Sequence, residues 1–390
     1  MLVRAALAMA GLVMTFVALF ALIWTVTPGV TYRLFQLSVG AAELSVWIGG
    51  LALVGMLFAA LALRPGSRFV PAITILAGLA ALVLAAIPPA QARSVARREG
   101  VELSLRRYLF GFGKQAPLEE TRDVVYAEVD GWVLRLDVYR PAEHRGETPL
   151  PAIVVVHGGS WSGGAKGEFQ ATTQVLARAG FVVFDVDYRL AAPGQHFPIQ
   201  VADVKCAVGW IKRNAATHGV DPARIALLGR SAGGHIALMA AYTPGHPEIP
   251  GACEAHDTAV AAVISLYAPI DLLWSYANPS RPDIIRGPER LRNFLGDTPE
   301  TIAERYRLAS PHLHVGLETP PTLIVHGSRD QIVGVRQAGF LADALHRADR
   351  PHRVVVLPWA NHGFDWTARG WGSQIAQAAM GQFLAAHLGP

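Results

Sequence analysis

The stretch Ile225-Ala226-Leu227-Leu228-Gly229-Arg230-Ser231-Ala232-Gly233-Gly234-His235 decides how the rest of the chain is read. Four apolar residues make a short buried strand, the pattern G-x-S-x-G follows at once, and a helical stretch over 232–241 comes next. A tight strand-to-helix turn holds its serine in a strained backbone conformation. Only glycines at the flanking positions let the chain pass so closely. The turn lifts the hydroxyl above the sheet, and the helix start directs its positive end and free N–H groups at the same spot. A serine that merely caps a helix after a glycine turn is the plainer alternative. The flanking strand and helix favour Ser231 as a nucleophile, with the Ala232 N–H as an oxyanion donor.

Working outward, the chain from about residue 123 alternates β-branched runs with helical stretches, the pattern of a mostly parallel sheet covered on both faces. Strands are expected at 124–129, 132–138, 152–156, 181–186, 225–228, 259–266, 322–325 and 353–357, eight in all. Helices are expected at 172–179, 200–217, 232–241, 335–347 and 372–388. The first two strands meet at Asp130-Gly131, a hairpin turn that makes that pair antiparallel. The Pro-rich, charged piece 271–314 has no strand pattern and is expected to run over the sheet and help wall a pocket.

Partners for Ser231 follow the same strands. His157-Gly158-Gly159-Ser160-Trp161 comes directly after the strand ending at Val156. Paired glycines there can turn backbone N–H groups toward a developing oxyanion, which makes Gly158 and Gly159 donors, while His157 is read as structural. A serine hydroxyl needs a base to take its proton and an acid to orient that base. Asp330 follows the strand at 322–325 in His326-Gly327-Ser328-Arg329-Asp330, and His362 follows the last strand in Asn361-His362-Gly363-Phe364. His362 is preferred among 14 histidines because His218, His346 and His387 fall on or beside exposed helix faces and His235 lies inside the helix after Ser231. Asp297 and Asp365 are rivals to Asp330.

Composition sets the frame. The chain has 390 residues, 52% hydrophobic and only 16% charged, with a mean hydropathy of +0.30, which excludes disorder and places part of it in lipid. Residues 1–90 hold just Arg4, Arg33, Glu43, Arg64 and Arg68 as charges, and the remainder is nearly neutral. A pI near 9.2 therefore does not call for a nucleic-acid partner. Three apolar stretches, 5–26, 44–63 and 69–86, each approach the ~20 residues that cross a bilayer core. The first is too long for a signal-peptide core and lacks a small-x-small cleavage site, so it reads as a retained anchor. The expected organisation is a three-helix membrane anchor over 1–90, a juxtamembrane linker over 91–122, and a catalytic domain over 123–390. Arg4, Arg64 and Arg68 flank the spans on one side, and Arg33, Arg93, Arg97 and Arg98 on the other, which favours a cytoplasmic catalytic domain. Cys206 and Cys253 are read as plain thiols, and no Cys/His cluster has metal-site spacing, so neither metal nor organic cofactor is expected.

The domain from about 115 to 390 resembles the α/β-hydrolase superfamily, in particular the carboxylesterases related to hormone-sensitive lipase that carry an H-G-G-x-W loop. The matching stretches are His157–Trp161, Asp187-Tyr188-Arg189-Leu190, Phe197-Pro198 with Asp203, Gly229–His235, Phe294–Pro299, Ser310-Pro311, His326–Asp330 and His362-Gly363-Phe364. The resemblance implies a triad of Ser231, Asp330 and His362 in the chain order of that fold, an oxyanion hole of Gly158, Gly159 and Ala232, and a buried structural pair, Asp187 and Arg189. Trp161 and Arg230 are the candidate substrate contacts. Two departures stand out: Ser160 replaces a third glycine, and Arg230 stands where many relatives have an acidic residue, so it either meets an anionic substrate group or pairs with a nearby carboxylate. The implied function is a multi-pass membrane serine carboxylesterase or lipase acting on a small-molecule or lipid ester. Aryl-formamidases and prenylcysteine methyl-esterases share the loop and are the alternative, and a non-catalytic binding module on the same fold is a third reading.

Overall fold

A computed structural model describes residues 2–63, 68–144, 148–254, 257–281 and 283–389; Arg64, counted above, lies outside them. Four helices open the chain: α1 (Leu2–Ile23), α2 (Tyr32–Glu43), α3 (Ser45–Ala62) and α4 (Phe69–Glu99). Three of them, α1, α3 and α4, are long and apolar enough to cross a membrane, whereas α2 is a 12-residue helix begun by the Thr31 side chain, which accepts a hydrogen bond from the Leu34 N–H. Small residues fill the contacts among the long helices. A Cβ on Gly55 would stand 2.3 Å from Thr15 Oγ1 and 2.8 Å from the Gly11 carbonyl, so α1 and α3 touch backbone to backbone. Large apolar side chains such as Phe16, Phe20, Leu53, Leu57 and Leu79 point outward.

The stretch expected as a linker is structured. The third apolar helix continues through Pro88 and Pro89 to Glu99, where Gly100 ends it in the left-handed region. Its last turns bury Ala92, Val95 and Ala96 in the same core as Trp371, Ile375 and Met380, because those small residues form a stripe on one face. A short helix α5 (Leu105–Phe110) follows, and β1 (Leu118–Val129) begins inside the expected linker. A covalent tether would need neither feature; the segment is part of the packed body.

The sheet then forms from β1, β2 (Trp132–Pro141), β3 (Leu150–Val156), β4 (Val182–Val186), β5 (Val220–Arg230), β6 (Ala262–Leu266), β7 (Thr322–Gly327) and β8 (His352–Leu357). Their order is β1-β2-β4-β3-β5-β6-β7-β8. The hairpin strand β2 pairs antiparallel with β1 and β4, and β4 through β8 run parallel. Asp130 and Gly131 both take positive φ at the hairpin, 50° and 78°, the backbone that the Asp-Gly pair favours. Crossover helices are α6 (Gln170–Arg178), α7 (Ile199–Arg213), α8 (Ala215–His218), α9 (Ala232–Tyr242), α13 (Arg336–Arg347) and α14 (Trp371–Leu388). Between β6 and β7 the expected excursion is helical: α10 (Leu272–Ala277), α11 (Gly287–Leu295), α12 (Pro299–Leu308) and a 3-10 turn at Pro311–His314. Central strands are buried on both faces, with β3, β4 and β6 fully apolar or nearly so, as a doubly covered parallel sheet requires.

Cys206 and Cys253 form a disulfide with Cα atoms 5.4 Å apart, which corrects the reading of two free thiols. Cys206 lies in the buried face of α7, and the Ala252 N–H donates to the Ala202 carbonyl one turn earlier, so the loop is held beside the helix at bonding distance.

Candidate active site

The turn after β5 sets Ser231 at φ 53°, ψ −123°, a conformation that costs a non-glycine residue energy and persists only where neighbours enforce it. The enforcement is steric: a Cβ on Gly233 would lie 2.1 Å from the His157 carbonyl, and one on Gly229 would lie 2.1 Å from the Gly233 carbonyl. Strand, serine and helix α9 are therefore locked against the end of β3.

His362 Nε2 lies 2.9 Å from Ser231 Oγ, and its Nδ1 lies 2.7 Å from Asp330 Oδ2. The proton pattern that fits is Ser231 O–H donating to Nε2 and Nδ1–H donating to the carboxylate. Asp330 is anchored from its other oxygen, Oδ1, which accepts the Ile332 and Val333 N–H groups at 2.8 Å each. Burial would raise this carboxyl, but the adjacent His362 and the hydrogen bonds from His326 and His362 outweigh it and hold the group at about 2, so it is a carboxylate at any physiological pH. Tyr267 packs its ring 4.6 Å from that of His362.

Asn361 ties the acid and base loops together. Its Oδ1 accepts both the Gln331 and His362 N–H groups, at 3.0 and 2.9 Å. Its amide nitrogen donates to Ser38 Oγ, 3.0 Å away on α2. Beside it, Glu43 at the end of α2 accepts from the Trp359 indole and the Gly372 N–H, both at 3.2 Å. Sequence reading missed both contacts, since more than 300 positions separate the partners. The one available signal was Glu43 itself, the single acidic residue among the first 90.

A pocket opens over Ser231. Ser160, Trp161, Ser231 and Ala232 line its base, and Trp274, Ile285, Leu291, Ile332 and Val333 give apolar walls. The excursion expected to wall a pocket does so through α10 and α11. Trp161 is braced: its ring stacks on Phe294 at 4.5 Å and its N–H donates to His235 Nδ1 at 3.2 Å. His235 Nε2 in turn donates to the Ala309 carbonyl at 2.7 Å, and burial pushes the imidazole down to about 4, so it stays neutral. His157 bonds the Gly158 carbonyl and stacks on Tyr188 at 4.3 Å, a structural role as expected.

Two assignments need correction. Arg230 is not a substrate contact: it is 1% exposed, pairs with Asp365 Oδ2 at 2.5 Å, and lies over the Phe169 ring at 4.2 Å. An unpaired guanidinium could not be buried there, and Asp365, held also by the Tyr267 hydroxyl at 2.5 Å, supplies the charge. Asp365 is thereby no rival acid. Arg189 pairs not with Asp187 but with Asp203 on α7, at 2.7 Å, and with Asp130 at 2.9 Å. Asp187 instead accepts the Lys166 N–H at 2.8 Å. Among the described residues no group of three or more His, Cys, Asp or Glu side chains could hold a metal ion.

The family model described as BD-FAE matches residues 136–345, more than half of the chain. Esterase LipC of Mycobacterium tuberculosis is 35% identical over 237 residues, covering 59% of this chain and 57% of LipC. The probable isoprenylcysteine alpha-carbonyl methylesterase ICMEL1 of Arabidopsis thaliana is 26% identical over 238 residues, 58% of this chain and 48% of that protein. The chain thus spans about half the length of the curated relatives it matches. Among solved structures, a thermophilic esterase of Thermogutta terrifontis, Est2, superposes with a TM-score of 0.57 at 29% identity, over 70% of this chain and 92% of its own. Taken with the eight-stranded sheet and the serine turn, these likenesses mean that the chain belongs to the BD-FAE family, among the α/β-hydrolases of the serine carboxylesterase group.

Proposed function

We propose that the protein is a membrane-anchored serine carboxylesterase, and the observation that carries this reading is the unbroken hydrogen-bond chain from Ser231 through His362 to Asp330 at the base of an apolar pocket. Ser231 Oγ attacks the ester carbonyl carbon as His362 Nε2 takes its proton. Asp330 holds the imidazole in that tautomer and stabilises the imidazolium. The N–H groups of Gly158, Gly159 and Ala232 receive the negative oxygen. His362 then protonates the departing alkoxide, leaving an acyl-serine that water, activated by the same histidine, hydrolyses to release the acid. Trp161 is the wall against which the acyl group rests.

The spans α1, α3 and α4 supply the anchor, with a catalytic domain beyond it. The arginine count favours a cytoplasmic domain, but the disulfide argues the reverse, since such bonds persist on the oxidising side; impermeant protease added to intact cells, with digestion or protection of the domain, decides the side.

The reading is tested by hydrolysis of p-nitrophenyl esters from acetate to palmitate by full-length protein, with Ser231→Ala as control. Activity peaking at one chain length and absent in the variant supports it, and no activity above the variant at any length sinks it. A narrower second reading, a prenylcysteine methyl-esterase, is favoured by the likeness to ICMEL1; turnover of a farnesylcysteine methyl ester far above the simple esters would select it.

A further inference from the structure

Two ends of the catalytic body are marked by where the membrane helices touch it. At one end stands α4's last residue, Glu99, whose Oε2 meets Arg353 Nη2 at 2.7 Å, at the start of β8. Gly100 receives a hydrogen bond from Gln382, late in α14. At the other end stands α2, between the inner ends of α1 and α3. It bonds Asn361, Trp359 and Gly372, all beyond the finish of β8 or at the beginning of α14. Tyr108 of α5 joins this end, accepting the Val46 N–H of α3 at 3.3 Å and stacking on Trp371 at 4.2 Å.

These contacts give the sheet a polarity relative to the spans. From Pro89 to Glu99, α4 rises about 16 Å alongside β8, whose six residues cover about 20 Å in the opposite sense. The far end of α4 meets the start of β8, and the near end of the bundle meets its finish. All parallel strands share the direction of β8, so their C-terminal edge, with Ser231, Asp330 and His362, lies on the side of the apolar helices.

That side is also apolar where a water-facing surface would not be. Trp366, four residues past His362, is 50% exposed, and Phe110 of α5 is 76% exposed. Val30 and Tyr32 at the α1–α2 connection and Leu105 are exposed as well. Arg33 and Arg106 lie exposed among them. Aromatic and aliphatic side chains interleaved with arginine, continuous with three spans, match a headgroup layer with anionic lipids beneath it.

We infer that the active-site edge of the sheet rests on the bilayer surface and that the substrate is an amphipathic ester drawn from the adjoining leaflet. This rests on the esterase reading above and adds where the ester comes from. The Ser231 pocket then takes the acyl group while the rest of the molecule stays at the interface, so no soluble carrier is needed.

The test uses the full chain in liposomes of phosphatidylethanolamine and phosphatidylglycerol. Nitroxides on Trp366→Cys and Phe110→Cys should collide with oxygen more than with an aqueous nickel chelate, while one on Asp349→Cys, before β8 starts, should show the reverse. Equal aqueous access at all three positions overturns the inference. So does a label at 366 shielded from both agents, which would put a second protein surface there. In parallel, 4-methylumbelliferyl palmitate in the protein's own vesicles should be cleaved about tenfold more slowly when its mole fraction is lowered tenfold at constant bulk concentration, with p-nitrophenyl acetate unaffected. A rate that follows bulk concentration alone overturns the inference and leaves the esterase standing. Hydrolysis of neither ester removes both.

Discussion

The two halves of the molecule are built inside out with respect to each other. In the bundle of α1, α3 and α4 the interior is Gly11, Ala18, Ala52, Gly55 and Ala81, and the bulky residues Phe16, Leu53 and Leu57 face outward. In the sheet domain the interior holds Phe184, Tyr267, Phe294 and Trp359. Water drives large apolar side chains into the second core. The first is held by close backbone approach of small residues, the packing that a lipid surround, which offers no such drive, would require. The difference teaches that the two halves follow opposite packing rules, as two solvents would demand, and that the seam between them is polar and specific, made by Ser38, Glu43, Asn361 and Trp359.

The largest expected effect is confined to one half. Ser231→Ala should lower kcat for ester hydrolysis by on the order of 10⁴ to 10⁶ while leaving thermal unfolding of either half unchanged, read by scanning calorimetry in detergent. A residual rate within tenfold of wild type would dismiss Ser231 as the nucleophile. Next comes the same truncation placed in the two environments. Phe184→Ala, at a site fully buried in the sheet core, should cost about 3–5 kcal/mol, but Leu57→Ala, 56% exposed on the bundle, less than about 0.5 kcal/mol. Equal losses would mean that α3 is buried against protein and not lipid.

A pH series separates Glu43 in the seam from His235 in the core by sign. Burial pushes Glu43 up to about 7, against the hydrogen bonds from Gly372 and Trp359 that lower it. The folded chain therefore holds a proton that the unfolded chain has lost from about pH 4.5 upward. This stabilisation is complete below 4.5 and gone above 7. His235, pushed down by burial to about 4, works the other way: stability is full above pH 6.5 and falls as the unfolded chain takes up the proton. Each swing is about 3 kcal/mol. Glu43→Gln should remove Glu43's share of the loss between pH 4.5 and 7, about 3 kcal/mol, leaving the part due to Asp185, which burial also pushes up to about 7, and the fall toward pH 4; denaturation midpoints at pH 4, 5.5 and 7 check both limbs.

The smallest effect probes the seam itself. Ser38→Ala leaves an Asn361 amide N–H without its acceptor, a cost of about 1–3 kcal/mol if borne entirely by that group. Shared with the His362 loop, it should lower kcat three- to tenfold with KM unchanged, and Ser38→Thr should restore it. A change in KM alone would mean that α2 touches substrate and not the loop.

Much of this was legible in the chain. All eight strands, the Asp130-Gly131 hairpin and the positions of Ser231, Asp330 and His362 at strand ends follow from β-branched apolar runs and glycine punctuation, which are local properties. What escaped was long-range. Cys206 and Cys253 are 47 positions apart, and a count of two fits a bridge or two thiols equally. Arg230 had two readings until Asp365, 135 positions later, chose between them. The resemblance pointed Arg189 to Asp187, whereas the crossover helix α7 brings Asp203 within 2.7 Å of it in space. Packing within the expected linker over 91–122 escaped because Ala92, Val95 and Ala96 carry too little apolar bulk to announce a docking face.

The disulfide has one more consequence. It closes a ring of chain from Cys206 to Cys253 that contains β5, Ser231 and α9, and a loop of that length is worth about 4 kcal/mol of chain entropy. Within the ring, Gly245, Pro247 and Glu248 are exposed, an accessible place for a protease to cut. A nick at Glu248 would divide the polypeptide between its serine and its histidine, yet both pieces would travel together on a gel until reductant was added. The protein can thus be severed in sequence and stay one molecule.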